Sequence, residues 1–394
     1  MGAIEIKNNI YWVGVKNPDL RIFDIVMKTE NGTTYNSYLI VDEKIVLVDT
    51  VKDGYFNEFI QNIKSVIGDR NIDYVVVNHT EPDHSGSAGK LLEYYPDAVV
   101  YASRAAIMNL RNIINKDFNS VEVKENDVLK IGERTLRFIS APLLHWPDTI
   151  FTYDEKDKVI FTGDAFGCHY CGDGIFNDEA GDFSDEYKYY FNVIMGPFKK
   201  NVISAIEKIK PLGIDVICTS HGPVLRDNPR KYVDIYWDWS KDVLDIPKNN
   251  YALILYVSAY GYTREIAKAI AEGLKETGAE VDIHDIIETD MNEIITKVDK
   301  AKALIIGSPT INQDAVKPVW DVLSLVSPMM NRGKAAFAFG SYGWSGEAVQ
   351  LINDRLKGLK FKTIEPGLKV QFVPTEEDIE KAKSIGKEIA ALIK

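Results

Sequence analysis

The chain has 394 residues, a formal net charge of -12 and 45% hydrophobic content, which is enough for two folded domains with sizeable cores. An acidic excess of mixed charges argues against nucleic acid and anionic membranes as partners, because both favour a basic protein face. No run approaches about 18 uncharged apolar residues and the N-terminus lacks a signal-peptide profile, so we expect a cytoplasmic protein without a membrane segment.

The first half of the chain shows strand patterns interrupted by helical ones. Apolar and β-branched runs predict strands at 10–14, 38–41, 45–48, 72–77, 98–101 and 136–139. Helical periodicity predicts helices at 55–67, 87–95 and 103–114. These patterns indicate a mixed α/β domain with β-rich layers.

A dense group of metal-ligand side chains directly follows the strand predicted at 72–77. His79, Glu81, Asp83 and His84 fall within six residues, and two of the six histidines in the chain lie here. On an extended segment, the side chains at 79, 81 and 83 would point to one side and that of His84 to the other, so one loop can serve two adjacent metals. A solvated acidic turn is the alternative interpretation.

Three further ligand candidates each come just after a strand-like run. They are His145, Asp164 and His221. Loops at strand ends commonly present converging functional side chains on a rigid scaffold. Asp49 also ends a strand pattern, where it either orients a ligand histidine or caps the strand end.

The three cysteines cannot form a disulfide framework, which fits a reducing compartment. Cys168 and Cys171 have CxxC spacing, but no second CxxC is present, so a Cys₄ metal centre is excluded. The pair is either inert or a redox-sensitive dithiol. Of the remaining histidines, we expect His284 on the surface, and His169 is a candidate for lining the pocket.

The second half alternates strands and helices. Strands are predicted at 252–257, 281–286, 303–306, 335–339 and 368–372, with helices at 263–277, 291–298, 316–326, 347–359 and 376–393. Such alternation predicts a doubly wound parallel sheet. The length of this half, roughly 145 residues, matches the flavodoxin-like order 2-1-3-4-5, which binds FMN at its switch point. We place the domain boundary in the segment 241–250, giving domains 1–249 and 250–394.

Three loops at the strand ends of this second domain suit a flavin. The first supplies hydroxyls and helix N-terminal N–H groups for a phosphate, and it contains no lysine, which argues against a Walker A site. The second could hold the ribityl chain, and the third could flank the ring with aromatic side chains, although Trp344 could instead be packed in the core. The FMN candidates are Ser258, Ala259, Tyr260, Gly261, Tyr262, Thr263, Pro309, Thr310, Ile311, Asn312, Ser341, Tyr342, Gly343, Trp344 and Ser345.

Together these motifs resemble the flavodiiron proteins over nearly the whole chain. The first half is similar to the metallo-β-lactamase superfamily, in the variant with glutamate as the second residue of its HxHxDH signature. The resemblance implies an αββα sandwich followed by a flavodoxin-like domain. It also implies one iron on His79, Glu81 and His145, a second on Asp83, His84 and His221, and Asp164 as the bridge.

The resemblance further implies FMN and two iron ions per chain, used to reduce dioxygen to water, nitric oxide to nitrous oxide, or both. We expect a rubredoxin as a separate electron donor, with a reduced deazaflavin such as F420 as the alternative. The family also implies a head-to-tail homodimer or a dimer of dimers.

Two other functions remain open at this point. One is a zinc hydrolase of the metallo-β-lactamase fold with a regulatory flavodoxin domain, although Glu81 argues against it. The other is a non-catalytic electron carrier or redox sensor, which would not need seven metal ligands.

Overall fold

The computed structural model describes residues 2–25, 27–241 and 250–393. Its contacts divide the chain into two compact units, Met1–Leu244 and Asp245–Lys394. The boundary predicted between residues 249 and 250 involves the segment 242–249, which lies outside the described residues. That boundary therefore stays a prediction.

The first unit is built on two main sheets. The larger has the strand order β1 (Ile4–Lys7), β2 (Ile10–Trp12), β7 (Tyr38–Val41), β8 (Ile45–Val48), β9 (Tyr74–Val77), β10 (Val99–Ala102) and β11 (Ser120–Glu122). The smaller has the order β12 (Val128–Lys130), β13 (Thr135–Ser140), β14 (Ile150–Asp154), β15 (Val159–Gly163) and β16 (Val216–Thr219). Two small pairs complete the set, β3 (Val15–Asn17) with β6 (Thr33–Tyr35) and β4 (Ile22–Phe23) with β5 (Met27–Lys28).

Strand β8 shows why the two sheets pack together. All four of its residues are buried, so both of its faces are covered. Val46 and Val48 belong to the core between the sheets, together with Phe138 and Phe161 of the smaller sheet. The alternate side chains point to the opposite face and pack in the core beneath the helices. Burial on both faces explains why this strand is uniformly apolar instead of alternating.

Helices cover the outer faces of both sheets. They are α1 (Phe56–Ile67), α2 (Pro82–Ser85), α3 (Ala88–Tyr94), α4 (Arg104–Ile114), α5 (Ser184–Tyr190), α6 (Lys199–Ile209) and α7 (Pro229–Ser240). A π-helical turn (Phe191–Met195) and a 3₁₀ turn (Gly196–Phe198) connect α5 to α6. The layers confirm the predicted αββα sandwich, although α5 and α6 were not predicted.

The second unit confirms the doubly wound sheet. Its strands are β17 (Tyr251–Tyr256), β18 (Glu280–Asp285), β19 (Ala303–Gly307), β20 (Thr310–Ile311), β21 (Asp314–Ala315), β22 (Ala335–Tyr342), β23 (Lys362–Thr363) and β24 (Leu368–Gln371). The helices are α8 (Tyr262–Glu276), α9 (Met291–Lys300), α10 (Lys317–Leu325), α11 (Pro328–Asn331), α12 (Glu347–Gly358) and α13 (Glu376–Leu392).

The main sheet of this unit runs β18-β17-β19-β22, with β23 and β24 both paired to β22, and every pair is parallel. In chain order this is the predicted arrangement 2-1-3-4-5, with the fifth strand in two pieces. Across the described part of the chain, no helix is both long enough and apolar enough to cross a membrane.

Candidate metal centre and flavin loops

The candidate ligands of the first unit all lie at strand ends, as the sequence predicted. His79 follows β9, Asp164 follows β15 and His221 follows β16, while His145 lies between β13 and β14. One of these strands lies in the larger sheet and the others lie in the smaller, so both layers of the sandwich contribute to the site. Rigid strands fix where each loop leaves the sheet, and the loops supply the side chains.

The predicted geometry of the ligand loop was wrong in one respect. Residues 82–85 form the short helix α2, so the loop is not extended through position 83. Glu81 still has extended backbone angles, and Pro82 begins the helical turn. As a result Asp83 lies with His84, on the opposite side from His79 and Glu81.

The first group of ligand atoms converges on Glu81. Its Oε2 lies 2.9 Å from Nε2 of His145 and 3.4 Å from Nε2 of His79. With Asp164, these side chains offer ligand atoms that all lie within 4.8 Å of one another. His79 is fully buried, and Glu81 and His145 each keep 15% of their side-chain surface exposed. The group is therefore open on one side.

The second group converges on Asp83. Its Oδ2 lies 3.0 Å from Nε2 of His221 and 3.3 Å from Nε2 of His84. All three side chains are at least nine-tenths buried. The structure thus forms the same two groups that the resemblance implied.

Asp164 lies between the groups and faces each with a different oxygen. Its Oδ1 is 3.0 Å from Nε2 of His84 and 3.6 Å from Nε2 of His221. Its Oδ2 is 3.3 Å from Nε2 of His145 and 3.5 Å from Nε2 of His79. A carboxylate in this position can contact two cations at once.

Within the described residues, several buried polar atoms at this centre make no hydrogen bond of suitable geometry, although neighbouring ligand atoms lie only 3.0–3.6 Å away. They are both carboxylate oxygens of Asp83, both ring nitrogens of His84 and Oδ1 of Asp164. Leaving one such group unsatisfied costs about 1–3 kcal/mol, so this many in one cluster point to a missing partner. Imidazole and carboxylate donors in this number fit two non-haem iron ions.

The electrostatics show how strongly the cluster attracts positive charge. Burial lowers the pKa of His79, but its hydrogen bonds with Asp148 and Glu81 outweigh burial and raise that pKa to about 10. Burial likewise opposes the charges of Asp83 and Asp164 at His84, whose pKa still rises to about 9. Burial would raise the pKa of Asp164, but the neighbouring histidines, led by His84, hold it well below its usual range.

His145 behaves in the same way. Its burial lowers the pKa, while hydrogen bonds with Asp164 and Glu81 raise it to about 10. The carboxylates of the cluster thus favour positive charge at the positions of these histidines.

Asp148 is a site residue that the sequence analysis missed. Its Oδ1 lies 3.2 Å from Nδ1 of His79, and both side chains are fully buried. Asp49, which we had considered for this role, accepts a hydrogen bond from the backbone N–H of Asn78 at 2.7 Å. Asp49 thus holds the backbone directly after β9, the neighbour of β8 in the sheet, instead of capping the end of β8. The proximity of Asp148 to His145 in sequence was the one available signal.

The remaining histidines and the CxxC cysteines lie in different environments. His169 is buried, with its ring 4.7 Å from that of His221 and its Nδ1 2.9 Å from Oγ1 of Thr33. His284 is partly buried and contacts Lys297 at 2.8 Å, so the surface expectation for it was incomplete. Cys168 and Cys171 are free thiols, and burial raises the pKa of both, which disfavours the reactive thiolate.

The three predicted flavin loops lie at the carboxyl ends of their strands. The segment 258–263 joins β17 to α8, with Gly261 at φ +92 before the helix and no atom within 4 Å of the Cβ that a side chain would add. The segment 308–312 follows β19 and enters the small β20–β21 hairpin. Strand β22 extends to Tyr342, so Ser341 and Tyr342 belong to the strand and the third loop begins at Gly343.

Two aromatic residues of these loops project from the surface of their unit. Tyr260 is 85% exposed and Trp344 is 87% exposed, so Trp344 is not a core residue. Oγ of Ser345 is buried and makes no hydrogen bond to any residue that the structure describes. The exposed aromatic rings, this hydroxyl and the N-terminus of α8 fit a flavin ring and phosphate.

Comparisons with known proteins find a matching family for each of the two units. Residues 33–222 match the family described as ODP family beta lactamase, and residues 254–386 match the flavodoxin family. The chain is 44% identical over 406 residues to the flavo-diiron protein FprA2 of Clostridium acetobutylicum, covering 100% of both chains. It is 38% identical to the anaerobic nitric oxide reductase flavorubredoxin of Shigella dysenteriae, covering 98% of this chain and 82% of that protein.

A solved structure gives the same result. The rubredoxin oxygen:oxidoreductase from Desulfovibrio gigas superimposes with a TM-score of 0.68 at 30% identity, covering 99% of this chain and 98% of that one. These matches show that the chain belongs to the flavodiiron protein family, a family of oxidoreductases, and that its cofactors are FMN and a non-haem diiron pair.

Proposed function

We propose that this protein reduces dioxygen to water, nitric oxide to nitrous oxide, or both, in the detoxification of these gases. Four electrons and four protons convert one dioxygen to two waters. Two electrons and two protons convert two nitric oxide molecules to one nitrous oxide and one water. The observation that carries the proposal is Asp164, whose two oxygens face separate histidine and carboxylate groups.

In this proposal the seven residues of the candidate centre hold the metals. His79, Glu81 and His145 hold one iron, Asp83, His84 and His221 hold the other, and Asp164 bridges them. When bound, the diiron pair supplies two adjacent one-electron centres with open positions for a small ligand. The partial exposure of Glu81 and His145 marks the side from which a gas can enter.

The residues around the pair have separate tasks. Asp148 orients His79 through its Nδ1, and the carbonyl of Thr34 orients His221 at 2.6 Å from its Nδ1. Each contact leaves Nε2 directed at the metal position. The rings of Phe23 and Tyr190 pack against His221, and both His221 and His84 are buried, so bulk water is kept away from that half.

FMN is proposed to bind in the three loops of the second unit and to deliver electrons to the diiron pair. The phosphate would lie at the N-terminus of α8, near Ser258 and Thr263, and the ring would lie beside Tyr260 and Trp344. A rubredoxin-type protein is the proposed electron donor, supported by the name of the Desulfovibrio gigas relative. A reduced deazaflavin is the alternative donor.

The zinc hydrolase alternative has less support. Glu81 contributes a charged oxygen to the first group, 2.9 Å from Nε2 of His145, and so favours a metal that reaches the ferric state. The named relatives that match the full chain are redox proteins.

The proposed function is tested by reducing the protein without oxygen and exposing it separately to each gas. We expect at least one gas to reoxidise FMN rapidly after mixing, with water or nitrous oxide as the product. The matched control is Asp164→Ala, which keeps the flavin loops and should lose the metals. If the variant and the native protein reoxidise equally fast with both gases, the diiron centre is not the site of reduction.

A further inference from the structure

The ligand side chains of the two halves of the metal centre have the same total charge. Each half has two histidines, one carboxylate of its own and one oxygen of Asp164. The halves differ in exposure, since Glu81 and His145 each keep 15% of their side-chain surface exposed, and in the groups behind the histidines. Such groups orient a ligand imidazole and set how strongly it donates electrons to a metal.

Behind His79 lies a fixed carboxylate. Oδ2 of Asp148 accepts hydrogen bonds from the backbone N–H of Thr80 at 2.8 Å and from its hydroxyl at 2.5 Å. The side-chain amide of Asn109 donates to the Thr80 hydroxyl at 2.9 Å. This contact leaves the hydroxyl hydrogen of Thr80 directed at Asp148. These contacts leave Oδ1 of Asp148 directed at Nδ1 of His79.

Behind the histidines of the other half the acceptors are neutral or missing. Nδ1 of His221 donates to the backbone carbonyl of Thr34 at 2.6 Å. Nδ1 of His84 has no hydrogen-bond partner within the described ranges of the chain. The buried carboxyl of Asp49 acts on both His84 and His79 through space, and its recorded hydrogen bond goes to the backbone. Of these three histidines, His79 alone has a carboxylate at Nδ1 within the described residues.

We propose that Asp148 makes the iron held by His79, Glu81 and His145 the first of the pair to be oxidised. The inference rests on the diiron assignment of the proposed function. A carboxylate at the far nitrogen increases the basicity of an imidazole, which stabilises the ferric state over the ferrous state. Loss of one electron to an acceptor such as ferricyanide then gives ferric iron at His79 and ferrous iron at His84. Asp148 acts through His79 and is a positioning residue.

The test is a redox titration of ⁵⁷Fe-loaded native protein and of Asp148→Asn, followed by Mössbauer spectroscopy. In the native protein we expect one ferric and one ferrous component after removal of one electron. Asp148→Asn should shift the first oxidation to a more positive potential, lowering the oxidised-to-reduced ratio at a fixed potential roughly tenfold. Asp148→Asn should also change the ferric component of the Mössbauer spectrum. An unchanged potential for the first oxidation, or a change confined to the ferrous component of the Mössbauer spectrum, would overturn the inference.

Two further variants keep the test decisive if Asp148→Asn does not retain iron. Thr80→Val removes a hydrogen bond that weakens the carboxylate as a base, so it should shift the first oxidation in the opposite direction, to a more negative potential. Thr33→Val is the matched control, because its hydroxyl lies 3.3 Å from Nδ1 of His221, and it should change the ferrous component only. A shift of the same sign in Thr80→Val and Asp148→Asn would contradict an electronic role.

Failure of this inference differs from failure of the proposed function. If the native protein holds two irons and reduces a gas, but Asp148→Asn leaves the first oxidation unchanged, only the role of Asp148 is wrong. If iron is not bound at the seven-residue centre at all, the proposed function itself fails.

Discussion

Thr263 and Ser341 share a buried hydrogen bond, with their hydroxyl oxygens 2.8 Å apart. Thr263 lies in the first turn of α8, and Ser341 lies near the end of β22. Only 1% of Thr263 and 7% of Ser341 is exposed. The contact joins two of the three candidate flavin loops, so the loop proposed to hold the phosphate and the strand leading to the loop proposed to hold the ring are fixed relative to one another.

The Thr263→Val variant tests this contact. Loss of the hydroxyl leaves Ser341 without its partner and removes a donor from the phosphate loop, so we expect FMN binding to weaken by about 1–3 kcal/mol. Titration of the flavin-free protein with FMN measures the change. Thr263→Ser is the control, because it keeps the hydroxyl, and iron content should be unaltered in both variants. Native FMN affinity in Thr263→Val would remove Thr263 from the site.

A second prediction concerns the carboxylate between the two metal groups. Asp164→Ala removes the ligand that both groups share, so we expect both irons to be bound more weakly and turnover to be lost. FMN content should be unchanged, because the flavin loops belong to the other unit. Metal analysis and flavin absorbance of the purified protein measure both quantities, and loss of FMN would mean that the two sites had been assigned wrongly.

Asp164→Asn is the matched comparison. An amide has a single oxygen acceptor, so it can serve only one of the two metal positions. We expect iron content between those of the native protein and Asp164→Ala.

Strand and helix alternation was sufficient to predict the doubly wound sheet, and placement directly after strand-like runs was sufficient to find His79, Asp164 and His221 as ligand candidates. The αββα sandwich and the two ligand groups were expectations from the family resemblance, because the local pattern alone placed Asp83 on the side of His79 and Glu81. The role of Asp148 could not be predicted in this way, because its contact with His79 spans 69 positions. The short helix α2 was missed because four residues are too few to show a periodicity, and Pro82 fits a turn equally well.

A third prediction follows from the raised pKa values of His79, His84 and His145, about 10, 9 and 10 respectively. We therefore expect these histidines to carry protons at pH 7 in the metal-free protein, and a metal must displace each proton to bind the ring nitrogen. Loading should therefore release about three protons from these groups, and metal affinity should rise as pH increases from 7 towards 9.

Proton release can be counted with an indicator dye in weakly buffered, oxygen-free solution as ferrous iron is added to the metal-free protein. Asp164→Ala serves as the control and should release fewer protons at the same iron concentration. Metal affinity that is independent of pH in this range would contradict protonated histidines at the empty centre.

The head-to-tail dimer implied by the family resemblance gives a fourth prediction. If FMN of one subunit serves the diiron pair of its partner, the interface is part of the electron path. Asp164→Ala retains FMN but lacks metals, and a phosphate-loop variant that lacks FMN retains metals. Co-expression should give mixed dimers that recover reductase activity through one intact pair, whereas each homodimer is inactive. Inactive mixed dimers that keep their surviving cofactors would place electron transfer within one chain.

Two irons that share Asp164 can be located by anomalous diffraction at the iron absorption edge. For crystals of the protein as purified, we predict two anomalous peaks about 3.5–4 Å apart. One should lie among His79, Glu81 and His145, and the other among Asp83, His84 and His221, with one oxygen of Asp164 directed at each. A single peak, or two peaks on the same side of Asp164, would contradict the account.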